Sequence, residues 1–165
     1  MVTLEDINVA QTRISPFIHR TPIYTCNSLN KLTGAKLYFK CDNFQKAGSF
    51  KIRGATNTVL QLSPEELNHG VITTSSGNHG AALALAATKQ GADVQVVMPN
   101  NTSRIKIQNV ERYGGKIIYC EPNHESRENT LKEMVERTGA IVVHPYNDER
   151  IVAGQGTAAN ELLTD

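Results

Sequence analysis

Two segments in the first third of the chain have apolar residues at three- and four-residue steps, the spacing that places them on one face of a helix. They are residues 3–14 and 50–62. Thr3 is placed to cap the first helix and Ser49 the second, because a side-chain oxygen can accept a hydrogen bond from an open N–H of the first turn. Shorter helices are predicted over 28–32 and from Pro64, and a strand over 37–41.

After Gly70 short apolar runs alternate with segments of helical spacing. The predicted strands are 71–74, 94–98, 116–120 and 140–143, and the predicted helices are 81–90, 102–113 and 125–138. The strands are apolar throughout rather than at every second residue, which is typical of a parallel sheet that helices cover on both faces. A last helix is predicted over 156–165, starting from a glycine-rich turn. By this pattern the chain looks truncated where a further strand should follow.

The composition argues against several classes of protein. Apolar residues make up 39% of the chain and charged residues 20%, which is unlike a disordered protein. Lysine and arginine number 17 against 16 acidic residues, so the chain lacks the cationic excess of a nucleic-acid binder or a polybasic membrane binder. The longest apolar run, Ala81 to Ala87, is far shorter than the ~20 residues of a membrane span. Three cysteines without close pairing and an acidic N-terminus predict free thiols and a cytoplasmic protein.

Lys51 is a candidate nucleophile. It follows a glycine turn and lies in the first turn of a predicted helix, where a cation opposes the helix dipole. Such a position lowers the pKa of the amine and favours the neutral form that Schiff-base chemistry requires. Most lysines, however, are solvated surface charges. The neighbouring Phe50 can be an ordinary core residue or can stack on a flat cofactor ring.

The loop from Ser75 to Gly80, between a strand and a helix, is a second candidate site. Ligands of open α/β sheets bind at this edge, and the open N–H groups of a helix N-terminus attract carboxylates and phosphates. Two serine hydroxyls, the Asn78 amide and the His79 imidazole add polar groups at close range. The alternative is an ordinary Gly/Ser/Asn turn that caps the helix.

Several segments carry a resemblance to a known family. Phe39 to Ala55 is similar to the lysine motif of the fold type II pyridoxal 5′-phosphate (PLP) enzymes, in the branch of serine/threonine dehydratases and serine racemases. Thr74 to Gly80 resembles the substrate loop of that branch. Further segments resemble its eukaryotic-type racemases, namely 119–122, 125–129 and 153–157. The resemblance covers essentially the whole chain and implies a tryptophan-synthase-β-like α/β fold with parallel sheets covered by helices.

The resemblance also implies a role for each candidate residue. Lys51 would bind PLP covalently and act as the base on one face of the substrate Cα, and Ser76 would be the acid/base on the opposite face. Phe50 would pack against the pyridine ring, and Asn78 would hydrogen-bond its phenolic oxygen. The residues that would hold the substrate carboxylate are Ser75, Ser76, Asn78, His79 and Arg127.

The implied activity is the interconversion of L- and D-serine, with a dehydratase side activity that releases pyruvate and ammonia. Racemisation needs a base on each face of Cα, whereas elimination needs one base and a protonated leaving group. A close alternative is a threonine/serine dehydratase. A different alternative is a catalytically incomplete α/β fragment that binds a ligand or a partner.

The family's domain organisation would divide the chain into three parts. Residues 1–68 would begin the large PLP domain, 69–147 would form the inserted small domain, and 148–165 would return to the large domain. The full-length enzyme would be a homodimer.

Effectors are implied by the same resemblance. ATP contacts would fall at Lys46, Lys106 and Tyr113. The glycine-rich phosphate cup and the ligands for Mg²⁺ or Ca²⁺ would lie beyond Asp165, so we expect no metal site within the chain and weak PLP binding by these 165 residues alone.

Overall fold

Four parallel strands form the main sheet of the computed structural model, which describes residues 1–165. They are β3 (Val71–Thr74), β4 (Val94–Pro99), β5 (Lys116–Cys120) and β6 (Ile141–Val142). Their order in the sheet is β5-β4-β3-β6. Val71 pairs with Val94 on one side and with Ile141 on the other. These strands lie inside the range 69–147 predicted for the small domain, and the division into domains itself stays a prediction.

Eight α-helices and a small antiparallel pair complete the fold. The helices are α1 (Leu4–Ile14), α2 (Asn27–Thr33), α3 (Lys51–Val59), α4 (Pro64–His69), α5 (Asn78–Thr88), α6 (Arg104–Arg112), α7 (His124–Thr138) and α8 (Glu149–Thr164). Strands β1 (Ile23–Tyr24) and β2 (Phe39–Lys40) form the pair, and two 3-10 turns connect β2 to α3. No helix is both long and apolar enough to cross a lipid bilayer.

Different helices cover the two faces of the main sheet, as the apolar strands predicted. On one face Val96 of β4 belongs to the larger core, together with Leu83 of α5. On the other face Val97 belongs to a smaller core with Met134 of α7. All four side chains are buried. Successive residues of β4 therefore enter separate cores, which explains why its apolar run is continuous.

Local capping sets many of the helix boundaries. Thr3 and Ser63 each begin a helix with a reciprocal capping box, and Pro64 occupies the first position of α4. Gly34 and Gly139 end α2 and α7 in the left-handed conformation, each with φ of 70°. These four predicted boundaries are confirmed.

Other boundaries differ from the prediction. Phe50, not Ser49, takes the cap position of α3, and the Ser49 hydroxyl is buried without a partner, so the predicted serine cap is wrong. The helix predicted over 50–62 is shorter, because the N–H groups of Gln61 and Leu62 bond to the third preceding carbonyl rather than the fourth. The strand predicted over 37–41 has only two residues, since it pairs only with the equally short β1.

Helix α8 begins at Glu149 rather than at residue 156, and α5 begins at Asn78 rather than at residue 81. In both cases residues that suggested a loop are helical. Gly154 lies inside α8 because the helix crosses α3 closely, and a Cβ on Gly154 would lie 2.6 Å from the Cα of Gly54. Glycine here permits a helix contact rather than a turn. Every residue of α3 after Lys51 is buried, because α8, α5 and α1 all pack against this helix.

Candidate active site

Lys51 is the first residue of α3, and its side chain is only partly exposed. Its Nζ donates to the carbonyl oxygen of Pro145 at 2.9 Å and lies 5.3 Å from the centre of the Phe50 ring. Burial lowers the pKa of Lys51, because removing an ammonium group from water penalises its charged form. The direction agrees with the prediction, but its cause is desolvation, whereas the sequence had suggested the helix dipole.

The loop from Ser75 to Gly80, called the serine loop below, connects the end of β3 to α5. Its two serines differ in their hydrogen bonds. The Ser75 hydroxyl accepts hydrogen bonds from the backbone N–H groups of Gly77 at 3.2 Å and Gly80 at 3.0 Å. Ser76 and Asn78 are exposed, and their side chains form no hydrogen bond within the chain. The loop is therefore held by Ser75, which leaves the side chains of Ser76 and Asn78 available to a ligand.

His79 is buried, with 3% of its surface exposed. Its Nε2 lies 3.3 Å from the carbonyl oxygen of Val143, and its Nδ1 has no partner. The pKa of His79 is lowered to about 4, chiefly by burial and also by the charges of Lys51 and His144, while the bond to Val143 acts in the opposite direction. Lys51 contacts the carbonyl oxygen of Pro145, two residues after Val143, so the lysine and the start of α5 meet at the same segment of the chain.

A cleft of about 410 Å³ opens beside Lys51. Its lining residues are Lys51, Pro145, Tyr146, Ile151, Val152, Gln155 and Gly156. The side-chain oxygen and nitrogen of Gln155 are both buried without a hydrogen-bond partner. Gly54 lies about one helical turn after Lys51 on α3. A Cβ there would lie 2.8 Å from Nε2 of Gln155, so the glycine makes room for the Gln155 carboxamide.

A buried cluster of charges lies on another side of α3, and sequence reasoning missed it. The guanidinium of Arg53 is fully buried and donates to Asp42 at 2.7 and 3.0 Å and to Glu161 at 2.9 Å on each oxygen. Burial is the largest single influence and opposes ionisation of Asp42 and Glu161, but hydrogen bonds from Arg53, Thr21 and Lys40 and the charges of Arg53 and Lys40 together hold the pKa of each carboxyl below its ordinary value. Lys40 completes the cluster with its Nζ 2.8 Å from Glu161.

The cluster left little signal in the sequence. Arg53 and Asp42 lie within the lysine motif, but their shared partner Glu161 comes 108 residues after Arg53. No periodicity connects residues so far apart. Gln155 was also missed, although it lies in the segment 153–157 that contributes to the resemblance.

The structure does not bring every predicted site residue to Lys51. Arg127 is partly buried in α7 with its Nε unpartnered, and no hydrogen bond joins it to the serine loop. Lys46 donates to the carbonyl oxygen of Phe17 at 2.6 Å, whereas Lys106 is exposed on α6. Tyr113 is partly buried at the end of α6. No hydrogen bond links the three predicted nucleotide contacts, and their role stays a prediction.

Comparison with known proteins identifies relatives along nearly the whole chain. Residues 14–165 match the family model described as "Pyridoxal-phosphate dependent enzyme". The chain is 48% identical over 162 residues to a serine racemase of Oryza sativa, a match that covers 98% of this chain and 48% of the rice protein. It is 52% identical over 161 residues to the β-hydroxyaspartate dehydratase of Paracoccus denitrificans, covering 98% of this chain and 51% of that protein.

A solved structure gives the same answer for the fold. The structure of maize serine racemase superposes with a TM-score of 0.96 at 47% identity, over 99% of this chain and 50% of the maize chain. The chain spans about half the length of the relatives it matches. The predicted fold type II architecture is confirmed, and the chain belongs to the pyridoxal-phosphate dependent enzymes.

Proposed function

We propose that this chain carries the reactive lysine and the substrate loop of an amino-acid racemase that interconverts L- and D-serine and also dehydrates serine to pyruvate and ammonia. The observation that carries the proposal is geometric: Lys51 Nζ contacts the carbonyl oxygen of Pro145 and His79 Nε2 that of Val143, two residues earlier, so the partly buried amine and the serine loop meet at one segment. Several relatives that bear the name serine racemase share this half of their sequence.

The residues around Lys51 fit PLP. The amine can react with an aldehyde because its lowered pKa increases the neutral fraction. Phe50 presents a partly exposed ring beside the amine, and the cleft has room for a ligand of this size. The unpartnered carboxamide of Gln155 offers both a donor and an acceptor at the same cleft. When bound, PLP supplies a conjugated ring that withdraws electrons from the substrate Cα.

Two side chains are proposed to move the Cα proton. Lys51 Nζ would remove it on one face, and Ser76 Oγ would deliver or accept it on the opposite face. The Ser76 hydroxyl is free to turn because nothing in the chain binds it. Ser75 cannot replace it without breaking its two bonds to the loop backbone.

The substrate carboxylate is proposed to bind at the start of α5, where the open N–H groups of the first turn favour an anion. Asn78 is exposed there and can bind the carboxylate or the cofactor's phenolic oxygen. The buried ring of His79 would not contact the carboxylate directly; it would support the site by holding the start of α5 against Val143. A contribution from Arg127 requires that α7 approach the loop.

A dehydratase is the second candidate function. It is favoured by the Paracoccus denitrificans relative, which bears the name β-hydroxyaspartate dehydratase at 52% identity. Elimination needs only the Lys51 face, so the same site could serve both reactions. D-serine formed from L-serine supports the racemase, and release of a 2-oxo acid without D-serine supports the dehydratase.

Finer features of the family belong to the proposal as well. These are a homodimeric full-length enzyme in the cytoplasm, control by ATP through the predicted contacts, and a divalent cation held outside these 165 residues.

Covalent trapping tests the central assignment. The protein is first incubated with PLP, so that the C=N bond with lysine forms with loss of water, and borohydride is then added to reduce that bond. The modified peptide is identified by mass spectrometry. We expect the label on Lys51 and its loss in Lys51→Ala. Lys46→Ala is the matched control, because Lys46 also donates to a backbone carbonyl and lies five residues away. A label on another lysine in the wild type contradicts the proposal.

A further inference from the structure

The start of α3, where Lys51 lies, is not fixed by a capping side chain. Phe50 occupies the cap position and makes no such bond, and the Ser49 hydroxyl is buried without a partner. Four helices, α1, α4, α7 and α8, begin with a side chain that accepts from the first turn, whereas α2, α5 and α6 resemble α3 in having no capping side chain at the N-cap. What distinguishes the first turn of α3 is a buried arginine.

Arg53 is this arginine. Its guanidinium binds Asp42, in the turn before α3, and Glu161, on α8, through two N–H groups each. Arg53 Nη1 also donates to the hydroxyl of Thr157 at 3.2 Å. Paired N–H···O bonds to two carboxylates fix both the position and the plane of the guanidinium.

The carboxylates are held in turn by further groups. The Thr21 hydroxyl donates to Asp42 at 2.6 Å, and Lys40 donates to Glu161 and to the carbonyl oxygen of Thr21, both at 2.8 Å. Inside the fold the charges of Lys40 and Arg53 thus balance those of Asp42 and Glu161, and Lys40 also contacts the less buried Asp165 at 3.2 Å. Since an unpaired buried charge is strongly unfavourable, the network resists any shift of α3 that would break one of its pairs.

Lys51 and Arg53 are two residues apart on one helix, so their side chains project roughly 200° apart around its axis. A rotation of α3 that loosened Arg53 would displace the Lys51 amine by more than it displaces the helix backbone, because the amine lies farther from the helix axis. A displacement of about 1 Å at a reacting group can slow a reaction by roughly a hundredfold.

We propose that Arg53 is a positioning residue, and that the buried network of Lys40, Asp42, Arg53 and Glu161 fixes the rotation of α3 and so aims the Lys51 amine into the cleft beside Pro145. The inference rests on the proposed function in one respect, that Lys51 is the amine that captures PLP. Arg53 itself faces away from that cleft and does not contact the reacting atoms.

The test compares Arg53→Lys and Glu161→Gln with the wild type. Lysine keeps the positive charge but cannot bind two carboxylates with paired N–H groups, and the Gln variant removes one anion while preserving shape. At a temperature where every protein is folded by circular dichroism, we expect trapping of PLP on Lys51 by borohydride to slow at least ~10-fold in both variants. A wild-type trapping rate in either folded variant overturns the inference.

Val59→Ala is the matched control for stability. Val59 is buried at the other end of α3, so its truncation creates a cavity in the same helix without touching the ion network. We expect this variant to trap PLP at close to the wild-type rate. An equal loss in Val59→Ala would assign the effect to stability and overturn the positioning role. Asp42→Asn replaces any variant that does not fold.

A second measurement separates this inference from the proposed function. Lysines are reductively methylated with ¹³C-formaldehyde, and the Lys51 signal is titrated by NMR without PLP. In Arg53→Lys we expect the pKa of Lys51 to rise towards that of an ordinary lysine, because the amine leaves its partly buried position. Failure of wild-type Lys51 to trap PLP contradicts the proposed function alone, whereas an unchanged Lys51 titration in both network variants contradicts the role of Arg53.

Discussion

The amine of Lys51 rests 2.9 Å from the carbonyl oxygen of Pro145, a residue 94 positions later in the chain. This contact joins the first turn of α3 to the segment between β6 and α8. It uses one N–H of the amine, so the remaining N–H groups of Lys51 have no partner within the chain. Because the carbonyl oxygen of Pro145 is uncharged, the ammonium of Lys51 is held there by a hydrogen bond and not by an ion pair.

Lys51→Met is expected to leave the chain at least as stable as the wild type. Burial of the ammonium group costs free energy, and an apolar side chain of similar length removes that cost. Replacement of a functional residue commonly stabilises a protein in this way. Urea unfolding measures the difference, with Lys46→Met as a control that also removes a bond to a carbonyl, that of Phe17. A loss of more than about 1 kcal/mol in Lys51→Met alone would assign Lys51 a structural role.

The two adjacent serines should separate stability from activity. Ser75→Ala removes the acceptor for the N–H groups of Gly77 and Gly80 and should lower the free energy of unfolding by about 1 kcal/mol. Ser76→Ala removes an exposed hydroxyl without a partner and should change it by less than about 0.5 kcal/mol.

Activity should respond to the same serine pair differently. With Ser76 absent, D-serine formation should be lost while elimination from L-serine persists, because only one face retains a base. Chiral chromatography and a 2-oxo acid assay measure the two products. Full racemisation by Ser76→Ala would remove Ser76 from the mechanism.

The buried His79 predicts a pH-dependent stability. Its folded pKa of about 4 lies below the ordinary 6.5, so between these values the unfolded chain binds a proton that the folded chain does not. The free energy of unfolding is therefore unaffected by His79 above pH 6.5. It decreases as pH falls from 6.5 towards 4, by about 3 kcal/mol at most.

Urea unfolding from pH 7.5 down to about pH 4.5 tests this, since that range lies above most carboxyl titrations. We expect a flatter profile in His79→Gln than in the wild type. His124→Gln, which alters an exposed histidine at the start of α7, should keep the wild-type slope. Identical slopes in all three proteins would mean that His79 is protonated alike in the folded and unfolded chains.

Gly54→Ala should be destabilising although alanine is the better helix former. An added Cβ would lie 2.8 Å from both the Ile151 carbonyl oxygen and Nε2 of Gln155, so we expect a loss of about 1–3 kcal/mol. Gly156→Ala is the matched control in α8, since the three atoms nearest its Cβ would all belong to the partly buried Ile7 side chain, from 2.7 Å at Cδ1, and none to backbone. Thermal unfolding of both variants measures the contrast, and equal midpoints would show that α3 and α8 can separate without penalty.

The sequence alone determined the elements whose signals are local. Apolar runs predicted β3 to β5 nearly to the residue, and glycines and capping side chains predicted where α1, α2, α4 and α7 begin or end. These features depend on neighbours within a few positions, so the chain contains the whole signal. The lysine motif and the serine loop were recognisable for the same reason, since each is one continuous segment.

Only the tertiary structure decided how distant segments meet. Gly154 suggests a turn by itself, but the crossing with α3 makes it a helical contact. Ser49 looks like a cap, yet the first turn of α3 is held instead by Arg53 through Glu161, 108 residues beyond that arginine. The lowered pKa of Lys51 likewise arises from burial rather than from its place in the helix. Burial and ion pairing depend on which segments pack together, and that information appears only when the chain has folded.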